Sequence, residues 1–411
     1  MSPSLDLHFG AVTDKSIVTP NDFVSHMVEH IAWRLGCSIH LNWLSEDWGA
    51  LGRFLGAKVA AFPLQKTEAA ALGMIDDGSA EVSVKKSTSP KSTIKAIPTH
   101  DLPWFLGLRC EQLSSGKPLV DLLQGFAEGA GLEINVLVCA LEDAHHTWEG
   151  VYRSLGIALS RMYMPPSSGG VPVSAIPTSH DGTQPIVVLA KDLNYAHVRR
   201  GTAESGVEIE IDFGQRFENS FACEVADSID VRGVEPLLSK LATAAGFSVR
   251  GKFRATKLSS SHVVWEDTGL VLGRALLEIL VGRMNEVGVN GAGSTVKTAA
   301  DQAGPLGVGI SVEGRKFWKY VPFTDPYDAF RKAFLVGHDA GQGARSEDLD
   351  DFIDGLAGGL AASLMIHVRR TIDPAQGWPM IFEDLGTALA EVFAPNPFRK
   401  GVPPGVKATL A

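Results

Sequence analysis

Apolar residues in this chain recur at three- and four-residue steps, then switch to strict alternation, and they do so four times. The pattern predicts an amphipathic helix leading into a strand over 21–43, 117–141, 233–255 and 349–370. Gly36, Gly131 and Gly246 fall at the break in three copies, where a glycine that closes a helix belongs; Ser363 stands there in the fourth. A second helix follows each pair: SEDWGALGRFLG (45–56), HHTWEGVYRSLG (145–156), HVVWEDTGLVLG (262–273) and PMIFEDLGTALA (379–390). Trp48, Trp148, Trp265 and Phe382 align without a gap, and so do Leu55, Leu155, Leu272 and Leu389. Two helical turns separate the aromatic from the leucine, so the two share a face and read as core positions. Stretches rich in β-formers, such as VEIEIDFG (207–214) and VGISVEG (308–314), precede the helices.

These recurrences predict an α/β fold built from one β-β-α-β-α unit repeated four times. The units cover 1–66, 67–164, 186–286 and 287–393. They group into two modules, 1–164 and 186–393, separated by the Pro/Gly/Ser-rich stretch 165–185, which reads as a linker. Residues 394–411 read as a C-terminal tail.

A net charge of −10 argues against a nucleic-acid partner, which needs a basic surface, but leaves room for a small anionic substrate. The four cysteines, Cys37, Cys110, Cys139 and Cys223, show no C-x-x-C spacing and read as thiols in a reducing compartment. No basic leader followed by an apolar run opens the chain, and no stretch reaches the ~18 apolar residues of a membrane span. The expectation is a cytoplasmic protein with no membrane partner.

Candidate chemistry concentrates in His145-His146-Thr147-Trp148-Glu149. On a helix, His145 and Glu149 stand at i, i+4 and His146 and Glu149 at i, i+3, so all three can address one site. Imidazole nitrogens with a carboxylate oxygen suit a divalent ion such as Zn, Mn, Fe or Ni. His262 and Glu266 repeat the i, i+4 pair in the third unit, with Val263 in place of the second histidine. Arg200-Gly-Thr-Ala-Glu204-Ser205 sets a carboxylate at a strand entrance, where burial can tune it as a general base. His26 and His30 lie at i, i+4 on the first helix, a weaker signal. His40 and His367 lie four residues after Gly36 and Ser363, on strands whose alternation does not reveal which face they take.

These motifs resemble the imidazoleglycerol-phosphate dehydratase family. Its subunit has two similar halves, each with an HHxxE helix, together with R-x-T-x-E-T, T-G-x-x-F-x-D-H-M and S-G-R-P segments. The resemblance implies two dehydratase-like modules in one chain, each with the superfold of the GHMP-kinase second domain. It places His26, in TPNDFVSHM (19–27), at a metal-binding histidine, with Ser25 replacing the aspartate. HHxxE survives as His145, His146 and Glu149, and Arg153 stands at the position of a phosphate-binding lysine. RGTAES (200–205) matches the strand motif, which puts Glu204 at a catalytic acid–base position and Arg200 at the head of the motif. His262 and Glu266 match part of the other HHxxE. EGRK (313–316) matches S-G-R-P, making Arg315 a phosphate contact, and His367 matches a strand histidine.

The remaining ligand positions are altered: Ser45 to Gly49, Pro236, Pro379 to Glu383, and Thr387. The losses are complementary, so the resemblance implies one composite site from the second and third units. Its metal ligands would be His145, His146, Glu149, His262, Glu266, His26 and His367, its catalytic carboxylates Glu204, Glu149 and Glu266, and its substrate contacts Arg153, Arg315 and Arg200. The implied activity is that of a hydro-lyase in the style of histidine biosynthesis. It would use a divalent metal, Mn by resemblance, on a small phosphorylated and imidazole-containing substrate, in a homo-oligomer of three or more chains. The alternative is a non-catalytic descendant kept for ligand binding or assembly.

Overall fold

The computed structural model describes residues 3–75, 78–141, 143–163, 186–202, 205–227, 229–255, 258, 260–298 and 303–403, with the side chains of 11–13 left aside. The linker expected at 165–185, the end of the tail at 404–411, and Glu204 lie outside them. The chain forms two compact units, Met1–Pro177 and Thr178–Ala411. Both mix helices with sheets.

The first unit runs β1 (Ser4–Val18), α1 (Asp22–Leu35), β2 (Cys37–Asn42), α2 (Trp48–Ala60), β3 (Glu68–Ile75), β4 (Gly78–Lys86), β5 (Lys91–Ala96), α3 (Leu102–Gly107), α4 (Lys117–Ala130), β6 (Leu132–Leu141) and α5 (Ala144–Tyr163). Local chemistry sets the helix ends. Asn21 caps α1 by accepting from the Val24 N–H at 3.0 Å, and Gly36 closes it at φ +85, a left-handed conformation that favours glycine. Gly131 closes α4 in the same way at φ +63.

Within this unit, strand β6 has β4 antiparallel on one side, Val82 opposite Val136, and β5 parallel on the other, Ile94 opposite Val136. A parallel neighbour needs a crossover, and α4 supplies it between β5 and β6. Around β2 the single long strand β1 makes both pairings: Leu7 lies opposite Ile39 in an antiparallel run, and Ile17 lies opposite Leu41 in a parallel one.

The second unit runs β7 (Val187–Lys191), β8 (Tyr195–Gly201), β9 (Ser205–Asp212), β10 (Ser220–Glu224), α6 (Val234–Ala245), β11 (Ser248–Ala255), α7 (His262–Glu286), β12 (Ala292–Ser294), β13 (Leu306–Val312), β14 (Phe317–Pro322), α8 (Tyr327–Phe330), β15 (Asp339–Gly341), β16 (Ala344–Arg345), α9 (Ser346–Leu360), β17 (Ala362–Val368) and α10 (Pro374–Val392). Here β11 lies antiparallel to β9 and parallel to β10, and β17 lies antiparallel to β13 and parallel to β14. The strands β3, β7, β8, β12, β15 and β16 and the short helices α3 and α8 go beyond a bare β-β-α-β-α pattern.

The aligned aromatics and leucines are all buried: none of Trp48, Trp148, Trp265, Phe382, Leu55, Leu155, Leu272 and Leu389 is more than 8% exposed. Packing between helices adds a feature the periodicity does not show. Helix α2 meets α4, and α7 meets α9, through glycines on both partners. A Cβ on Gly52 would lie 2.2 Å from the Leu122 carbonyl oxygen, and one on Gly125 would lie 2.0 Å from that of Gly49. Gly269 faces the Phe352 carbonyl at 2.3 Å and Gly359 that of Leu270 at 2.0 Å by the same measure. Helix α1 packs on α5, and α6 on α10.

One expectation needs correction. The fourth helix–strand break falls at Ala361, at φ +53, and not at Ser363, which lies inside β17. Aligned on these helix ends, His40 corresponds to Met365, so His367 loses its match to His40. Within the expected tail, residues 396 and 401 hydrogen-bond to the preceding chain. Asn396 N–H donates to Gly288 at 3.0 Å and Gly401 N–H to Met284 at 2.9 Å, while Pro397–Arg399 form a short 3-10 turn.

Candidate metal centre

Helices α1 and α5 of the first unit bring three imidazoles to one carboxylate oxygen. His26 and His30 stand one turn apart on α1; His145 and Glu149 stand one turn apart at the start of α5. Glu149 Oε1 lies 2.5 Å from His26 Nε2, 3.1 Å from His30 Nε2 and 3.2 Å from His145 Nε2. The two Nε2 atoms of α1 are 3.1 Å apart. The donor atoms of His26, His30 and Glu149 all fall within 4.8 Å of one another. The side chains are 17% exposed at His26, 11% at His30 and 4% at both His145 and Glu149, so the cluster is largely buried and meets solvent mainly at His26.

Carboxylates stand behind two of the imidazoles. His145 Nδ1 donates to Glu111 Oε1 at 3.0 Å. His26 Nδ1 lies 3.7 Å from Glu29 Oε2, and Glu29 is itself paired with Lys15. Such partners fix the ring and tautomer of a metal-binding histidine. Arg153, one turn beyond Glu149, places Nη2 3.6 Å from Glu149 Oε2.

Electrostatics divide the group. Burial alone lowers the His145 pKa, but hydrogen bonds to Glu111 and Glu149 outweigh it and raise the group to about 9. Burial likewise lowers His26, and contacts with Glu149 and Glu29 reverse this, leaving it raised. At His30 burial prevails over the Glu149 hydrogen bond and the value falls to about 4. Glu149 would be raised by burial, yet three imidazole hydrogen bonds hold it well below the usual carboxylate range. Burial would also raise Glu29, and His26 and Lys15 bring it down to about 2. Carboxylates therefore favour positive charge at this point, and one oxygen faces three imidazole nitrogens. Glu149 Oε2 is buried and has no hydrogen-bond partner among the described residues. A divalent cation suits His26, His30 and Glu149, which present two nitrogens and an oxygen, with His145 adjoining them through Glu149 Oε1.

His146, expected as a ligand, does not enter this donor group. It is buried on the adjacent helical position, with Nδ1 3.7 Å from Asp143 Oδ1, because neighbours in sequence point in different directions on a helix. His30 does enter it, although its spacing from His26 shows only that the two share a face. Glu111 and Glu29 carry no motif that marks them.

The other expected site residues lie in the second unit. His262 begins α7, half-buried, with Nδ1 against Ser260 Oγ; Glu266 follows one turn on and is also half-buried. Arg200 lies near the end of β8, just before Gly201, and pairs with Asp267, which also accepts from Ser205 Oγ at 2.7 Å. An arginine expected to hold substrate is thus engaged by a buried carboxylate. Arg315 is exposed in the turn between β13 and β14. His367 is half-buried on β17, its ring 5.2 Å from Phe323, and burial with the nearby Arg369 charge lowers its pKa.

Aligned on their glycine caps and aromatics, α6 and α10 offer Pro236, Lys240, Pro379 and Glu383 where α1 and α5 offer His26, His30, His145 and Glu149. Lys240 Nζ donates to Glu383 Oε2 at 2.9 Å. An ammonium–carboxylate pair therefore occupies in the second unit the place of the histidine–glutamate cluster in the first.

No protein-family model matches the chain, and no curated protein does. Solved structures similar to part of it include the IGPD of Pyrococcus furiosus, 22% identical over 40% of this chain and 91% of that one, with a TM-score of 0.34. They also include the imidazoleglycerol-phosphate dehydratase of Staphylococcus aureus subsp. aureus N315, 16% identical over 49% of this chain and 99% of that one, also with a TM-score of 0.34. No helix among the described residues is long and apolar enough to cross a membrane.

Proposed function

We propose that the first unit binds one divalent transition-metal ion through His26, His30, His145 and Glu149, and that the protein is a metal-dependent hydro-lyase acting on a small phosphorylated substrate. The observation that supports the metal is the convergence of three imidazole nitrogens on Glu149 Oε1. The reaction class rests on the motifs HHTWE, DFVSHM, RGTAES and HVVWED, which resemble those of imidazoleglycerol-phosphate dehydratase. Four copies of one unit in two dehydratase-like modules, Mn as the ion, and a homo-oligomer belong to the same proposal.

In this reading a bound ion would supply Lewis acidity toward an imidazole or oxygen of the substrate. The chain's own residues do the rest. Burial excludes water, Glu111 and Glu29 hold the rings of His145 and His26, and Arg153 stands beside Glu149 as a cationic contact for phosphate. Glu149 is then a ligand, which leaves proton transfer to another carboxylate.

A second reading is favoured by one feature. All four donors come from the protein and are largely buried, as in a closed structural site, so the ion would clamp α1 to α5 in a non-catalytic descendant. The test is turnover of imidazoleglycerol phosphate by Mn-loaded protein beside a Glu149→Ala variant. Product formation lost in the variant supports the lyase. Metal retention with no turnover of this or related sugar phosphates supports the clamp.

A further inference from the structure

We infer that Glu111 is a positioning residue that orients His145 and sets the metal affinity of the first unit, an inference that rests on the metal reading above. Glu111 lies far from the HHTWE motif in sequence, in the connection between α3 and α4. Its carboxylate is buried and accepts from His145 Nδ1 at 3.0 Å. That contact leaves Nε2 of the same ring turned toward Glu149 Oε1 at 3.2 Å. A carboxylate on the outer nitrogen fixes the tautomer in which the inner nitrogen carries the lone pair, and it raises the basicity of that nitrogen.

The backbone supplies an independent observation. Cys110 and Leu113 exchange hydrogen bonds of 2.9 Å in each direction, closing a two-residue turn. Glu111 occupies its first corner at φ +50. A turn of this kind favours glycine at that corner, and an L side chain there is held at an energetic cost. A glutamate in a position suited to glycine, its side chain buried against a ring of the cluster, is what retention for the carboxylate rather than for the turn would leave. Glu29 takes the corresponding place behind His26, but from the same helix and at the longer distance of 3.7 Å.

The experiment uses the full chain and Zn²⁺ alone as probe, with affinity read by competition against a chromogenic chelator and metal-free stability by thermal melting. Glu111→Gly frees the turn and removes the carboxylate. It is expected to melt at or above the wild-type temperature without metal and to bind Zn²⁺ roughly 10–100-fold more weakly. Glu111→Gln keeps an acceptor oxygen and is expected to recover part of the loss. Unchanged affinity in both variants overturns the assignment to Glu111 while leaving the metal reading intact. A Glu111→Gly protein that melts well below wild type, with Glu111→Gln restoring stability but not affinity, also overturns it, because the side chain would then serve the fold. Absence of Zn²⁺ binding by the wild type overturns the metal reading and this inference with it.

Discussion

His30 Nε2 lies 3.1 Å from Glu149 Oε1 across 119 residues of sequence, joining the middle of α1 to the first turns of α5. At the matching place in the second unit, Lys240 meets Glu383 in an exposed ion pair. One helix pair thus carries a metal-type donor set, and its counterpart carries a contact that needs no ion.

If His30 is a ligand, His30→Ala removes one of four donors. Zn²⁺ affinity is expected to fall more than about tenfold, while His146→Ala keeps the wild-type stoichiometry because His146 lies outside the donor group. Isothermal titration of both variants checks this. Equal loss in both would return His146 to the ligand set.

The exposed pair of the second unit is expected to contribute little. Lys240→Ala is predicted to cost less than about 1 kcal/mol in urea denaturation, as exposed pairs do, and to leave metal content unchanged.

Glycine contact between α2 and α4 leads to a sharper expectation. A Cβ on Gly125 would lie 2.0 Å from a backbone oxygen of the facing helix, with no flexible side chain to yield. Gly125→Ala is expected to destabilise the protein by about 2–3 kcal/mol or more through overpacking. Gly107→Ala, whose Cβ would meet nothing within 4 Å, is expected to change the urea midpoint little.

Asp384 on α10 sets a pH dependence. Burial, and then the neighbouring Glu383 charge, raise its pKa from 3.8 to about 6, against a smaller opposing effect of Arg369. A carboxyl whose folded value lies above its unfolded one destabilises the fold when ionised. The penalty is absent below pH 3.8 and complete above about 6. Asp384→Asn is therefore expected to stabilise the protein at pH 8 by about 1 kcal/mol, discounted because the group is partly exposed. The gain should disappear near pH 3.5, about where Asp384 is protonated in both states. Denaturant midpoints at the two pH values test the sign.

Much of the scaffold was legible in the sequence. Aromatic and leucine positions two turns apart became core residues in all four aligned segments, and three glycines closed their helices. The fourth helix end was misplaced because Ala361 takes a left-handed conformation that alanine rarely adopts. The donor cluster was legible only in part. His145, Glu149 and His26 belong to recognisable motifs, and the helical spacing carries His145 and Glu149 to one face. His30 shares a face with His26, but helical periodicity does not say what that face meets. Glu111 enters from a turn whose geometry favours another residue type, so no local pattern announces it.

The central claim is tested most directly by metal content. Untagged protein purified without chelator, beside a His145→Ala, Glu149→Ala variant, would be measured by inductively coupled plasma mass spectrometry. The account predicts about one transition-metal ion per chain, taken here as a single four-donor site, and loss of that ion in the variant with the fold retained by circular dichroism. Wild-type protein that holds no metal even after Mn²⁺ or Zn²⁺ is supplied, or a variant that holds as much as wild type, would contradict it.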